Sequence, residues 1–94
     1  MSLKEFEHSL TAPAPPAGLC PALQALWHER RGDRERAHEI AQDMDSRDAA
    51  WVHAYLHRRE GDQSNAAYWY RHAAKPVMHG SLDQEWREIV EALL

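Results

Sequence analysis

The stretch Trp51–Pro76, WVHAYLHRREGDQSNAAYWYRHAAKP, decides the fold. It reads as two helices meeting at the corner Gly61-Asp62. A glycine there can take the left-handed conformation that ends one helix, and the aspartate can accept backbone N–H groups opening the next. Pro76 lacks a backbone donor and restricts the residue before it, so it stops the second helix. A weaker copy precedes this hairpin. A shift of 29 positions lays Ala25–Ala41 on Ala54–Tyr70 and pairs Ala25 with Ala54, His28 with His57, Arg30 with Arg59, Gly32 with Gly61, Asp33 with Asp62 and Ala37 with Ala66. Those six identities fall where a helical hairpin needs them, and a fixed-period self-match in helical sequence marks stacked helix pairs.

Working outward, the first pair is predicted over Pro21–Arg31 and Arg34–Met44. Proline is tolerated in the first turn, and the apolar stripes are Leu19, Leu23, Leu26, Trp27 and Ala37, Ile40, Ala41, Met44. Asp45 or Ser46 can cap a helix over Arg47–Glu60, and the next follows Asp62 to Ala74. Upstream, Ser2-x-x-Glu5 is a capping-box pattern with Leu3, Phe6 and Leu10 at helical spacing, predicting a short docking helix. Thr11–Gly18, TAPAPPAG, is too rich in proline for a helix and reads as an extended strap. Downstream, Ser81-x-x-Gln84 opens a helix whose Leu82, Trp86, Ile89, Val90 and Leu93 share one face, the best candidate for a C-terminal cap. Tyr68, Trp69 and Tyr70 are consecutive and spread around a helix, so one must leave the main contact; Tyr68 is expected outside, with His72 one turn on.

At Ala54, Gly61-Asp62, Ala66, Tyr70 and Ala73, and at Ala25, Gly32-Asp33 and Ala37, the chain resembles the tetratricopeptide repeat. That family has a small residue midway along its first helix, Gly-Asp at the turn and alanines on its second helix. The pattern departs in its period of 29 rather than roughly 34, in the early Pro76, in Ala41 and Met44 where an aromatic and an alanine are usual, and in Gln24 and His53 at apolar positions. The resemblance implies an all-α fold, a right-handed stack of five helices in antiparallel pairs with terminal capping helices. Residues 1–18 would form the short helix and strap, and residues 19–94 the repeat-like domain. It further implies a concave groove lined by the first helix of each pair, at Leu26, Glu29, Arg30, Trp51, Tyr55, Arg58 and Arg59. Arginine beside aromatic side chains suits a carboxylate or an acidic peptide. The expected role is therefore a protein-interaction module, binding a peptide, another protein or a second copy of the chain as a homodimer. Near helix C-termini, the arginine pairs also have a purely structural use against the helix dipole.

Other classes find little support. The chain of 94 residues carries a net charge of −4, which argues against binding nucleic acid or an anionic membrane surface. It has no long apolar run and no secretory apolar core near its start, so no membrane role and a cytoplasmic location are expected. The single cysteine, Cys20, fits a reducing compartment and is expected as a small apolar residue at a helix start. A serine nucleophile, a phosphate loop and a nucleotide fingerprint are absent from the sequence, so no catalytic residue and no cofactor are assigned. The rival reading rests on seven histidines. His53 and His57 share one helix face with Glu60 three residues on, a spacing compatible with a metal-binding protein or metal-dependent enzyme, with His28 as another candidate ligand. Against this, His28 and His57 fall where the resembled family packs a large side chain between helices. A histidine-rich core would also respond to pH near neutrality.

Overall fold

The computed structural model describes residues 1–43 and 45–94. Met44, expected on the apolar face of its helix, lies outside the described residues. The chain is all-helical, with no strand among the described residues: α1 Leu3–Ser9, α2 Pro21–Arg30, α3 Arg34–Gln42, α4 Arg47–Arg59, α5 Gln63–His72 and α6 Leu82–Leu93. The described residues hold six helices, the five expected from Pro21 onward and, before them, the expected short docking helix α1, whose Ser2 capping box forms.

Every helix but α2 starts where a short polar side chain accepts an orphan N–H. Ser2, Asp33, Ser46, Asp62 and Ser81 each accept from the backbone N–H three residues on. Pro21 occupies the first turn of α2. The two Gly-Asp corners are closed identically. Asp33 N–H donates to the His28 carbonyl and Asp62 N–H to the His57 carbonyl, both at 2.9 Å, while Gly32 and Gly61 bond back to Glu29 and Arg58. Gly32 and Gly61 have φ of 90° and 81°, the left-handed residue of a Schellman turn. The same turn ends α5, where Lys75 N–H reaches the Tyr70 carbonyl, but there the left-handed position belongs to Ala74 with φ of 57°.

These corners fold α3 back on α2 and α5 back on α4, and the two pairs lie side by side through α3 against α4 and α2 against α4. Small residues allow the close approach: Ala25, Ala37 and Ala41 in the first pair, Ala54 and Ala66 in the second, are all buried. The terminal helices do not cover the ends of this stack. Instead α6 lies across α2 and α4, the first helices of both pairs, and α1 packs on α6. Its apolar face puts Trp86, Ile89 and Val90 into the main core, where Trp86 meets Phe6 at 5.7 Å between ring centroids and donates its indole N–H to the Leu26 carbonyl at 3.2 Å. The strap between α1 and α2 is held by Arg31, which donates to the Leu10 and Ala12 carbonyls at 2.7 Å while lying over the Trp27 ring. Tyr68 is 47% exposed and Tyr70 1%, the division expected of that aromatic run. Cys20 caps α2 from an exposed position rather than packing as an apolar residue.

Candidate functional site

Of the residues expected to line a groove, Glu29, Tyr55 and Arg59 meet one another between α2 and α4, while Arg30 and Arg58 reach carboxylates of α6. Glu29 is buried on α2, and its Oε1 accepts both the Tyr55 hydroxyl at 3.0 Å and the Arg59 Nε at 2.9 Å. On the other flank of α4, Arg58 donates Nη1 to Glu85 Oε1 at 2.9 Å and Nη2 to the Gly80 carbonyl, and the Tyr70 hydroxyl donates to Glu85 Oε2. Two buried carboxylates, one from α2 and one from α6, are thus each met by a tyrosine hydroxyl and an arginine. Arg30 pairs with Asp83 at 2.7 Å and lies 4.2 Å over the Trp86 ring. The arginines therefore find the carboxylates their chemistry suits, and two of the three acids are α6's own Asp83 and Glu85.

Electrostatics follow the burial. Burial raises the Glu29 pKa, opposed by the Tyr55 hydrogen bond and then by Arg59. Both tyrosines are pushed well up, Tyr55 by burial and then Glu29, Tyr70 by burial and then Glu85, so both hydroxyls stay protonated donors. Hydrogen bonding to Arg30 lowers the Asp83 pKa. Glu29 Oε2 and Arg30 Nε are buried with no hydrogen-bond partner among the described residues.

Trp51 is the groove residue that takes no part in these networks. It stands half-buried on α4 beside a cleft of about 300 Å³, walled by Tyr70, by the Lys75–Met78 segment after α5, and by Glu85 and Glu88 of α6. Lys75 Nζ lies 4.3 Å above its ring. Sequence reading missed the Lys75–Met78 wall, because an irregular segment carries no periodicity to place it.

The histidines gather on the opposite side of α4. His38 of α3 joins His53 and His57, with ring centroids 5.7 to 6.3 Å apart. His53 stacks on Trp69 of α5 at 4.2 Å and 14°. Glu60 pairs with His38 at 2.5 Å rather than with the two α4 histidines, and no group of three His, Cys, Asp or Glu side chains is placed to hold a metal ion among the described residues. The buried histidine is His53, at 5% exposure, whereas His57 and His28 are half-exposed. His28 sits edge-on to Trp27, away from the cluster. His38 carried no sequence signal beyond its residue type, since only the α3–α4 contact brings it to the pair.

Compared with protein families, curated proteins and solved structures, the chain matches none of them.

Proposed function

We propose that the chain is a small protein-interaction module of the tetratricopeptide-like kind, taking a partner peptide at the cleft beside Trp51, between α4, α5 with the segment after it, and α6. The observation that carries this reading is the Trp51 cleft, about 300 Å³, with an aromatic face, the Met78 thioether and charges of both signs at its rim. Concave sites with an aromatic anchor and a few polar groups are where peptide side chains bury best. Two further observations support the family likeness: the two Gly-Asp corners close with the same hydrogen bonds, and the pairs stack through small residues. Lys75, seated on Trp51, would be displaced or joined by the incoming side chain.

The test is capture from the native cell with the wild-type chain and with a Trp51→Ala, Met78→Ala double variant, identifying bound proteins by mass. The expected outcome is a defined partner lost from the double variant while it keeps its helical circular-dichroism spectrum, some thermal stability being given up because both side chains also pack against the core. Capture of the same partner by both overturns the assignment to this cleft. Light scattering counts subunits in parallel, and a dimer abolished by the same pair of substitutions would make the partner a second copy.

A further inference from the structure

We propose that the seam between the two helical pairs is a proton-operated joint, closed while the His53 imidazole is neutral and loosened when that ring takes up a second proton. The inference concerns the face of α4 opposite the cleft and stands independently of any partner. The argument starts from placement. His38 reaches the seam from α3, His53 and His57 from α4, and the three rings form a triangle with sides of 5.7, 6.1 and 6.3 Å. The titratable groups against them are Glu60 and Asp62 at the α4–α5 corner and His72, which lies 5.6 Å from Trp69 on α5.

The carboxylates are unevenly shared. Glu60 is taken by His38 at 2.5 Å, and Asp62 stands 3.9 Å from His57 Nδ1. His53 has neither, is 5% exposed, and its Nδ1 is buried with no hydrogen-bond partner among the described residues. A second proton on that ring makes a buried cation that neither Glu60 nor Asp62 pairs. Burial first, then the nearby His57 and His38, lower the His53 pKa against a hydrogen bond with the Ala41 backbone. A folded pKa below the unfolded one means the stabilisation is whole above the ordinary value of 6.5 and is lost as pH falls toward the folded value. A metal ion fits less well: no group of three His, Cys, Asp or Glu side chains among the described residues is placed to hold one.

Amide hydrogen exchange at about pH 7.5 and about pH 5.5, corrected for the intrinsic rate, tests the proposal. Protection in α3 and along the seam side of α4 should fall roughly tenfold at the lower pH, while protection in α6 holds. His53→Gln should remove most of that response. An unchanged seam, a loss spread evenly over all helices, or a full response in His53→Gln overturns the proposal. If that variant does not fold, NMR titration of the wild-type imidazoles decides alone. His53 taking its proton below 6.5, in step with the loss of seam protection, supports the joint; protonation at or above 6.5 overturns it.

Discussion

Ala74 holds the left-handed position that glycine holds at the two earlier corners, and an L side chain is disfavoured there. Ala74→Gly is expected to stabilise the chain by about 1 kcal/mol, read as a melting temperature higher by roughly 4–8 °C. Gly61→Ala should lose a similar amount for the mirror reason: a Cβ there meets nothing within 4 Å, so the penalty is one of conformation rather than clash. A matching loss from Ala74→Gly would show that this third turn is not closed as described. These residues also mark how far local chemistry reveals itself. Glycine announced two corners because left-handed backbone needs it, whereas the third corner, built on alanine, could be placed only by Pro76 beyond it. His53 was legible as a polar residue on an apolar position, but its unpartnered ring nitrogen was not, since that depends on where α3 and α5 lie.

At the scale of elements, α6 is the instructive one. Its caps and apolar stripe were plain in the sequence, because both are set within a few residues. Its destination was not, because a stripe says that a helix is covered and not by what. The arginine–aromatic surface was likewise legible as a place for carboxylates, while Asp83 and Glu85 read in sequence as ordinary first-turn acids. Glu85→Ala is expected to destabilise the fold by about 3–5 kcal/mol, since it removes the counter-charge of the mostly buried Arg58 and leaves its Nη1 and the Tyr70 hydroxyl without an acceptor. Denaturant unfolding measures this, and a loss under about 1 kcal/mol would mean that the network contributes little. The short α1 is just as integral: Phe6 is fully buried against Trp86, so Phe6→Ala should lose about 3–5 kcal/mol despite its place in a seven-residue helix.

For the whole molecule, the balance of titrating groups sets how stability varies with pH. His28 and His53 both have lowered pKa values, each mainly through burial, so the native state binds fewer protons than the unfolded one. The melting temperature is expected to fall as pH drops below 6.5. Glu29 acts in the opposite sense. Burial raises its pKa above 4.5, so protonating it on further acidification relieves the fold, and the decline should flatten there. A melting temperature that is level from neutrality to that range would contradict both assignments.

The placement of α6 has one more effect. In an open array of helix pairs each unit touches only its neighbours, and either end can fray while the other stays folded. Here a single helix bridges both pairs, and consecutive arginines of α4 reach carboxylates on opposite sides, Arg58 to Glu85 and Arg59 to Glu29. Melting either pair completely would strip cover from the other, so unravelling from one end is opposed even where the seam between the pairs loosens.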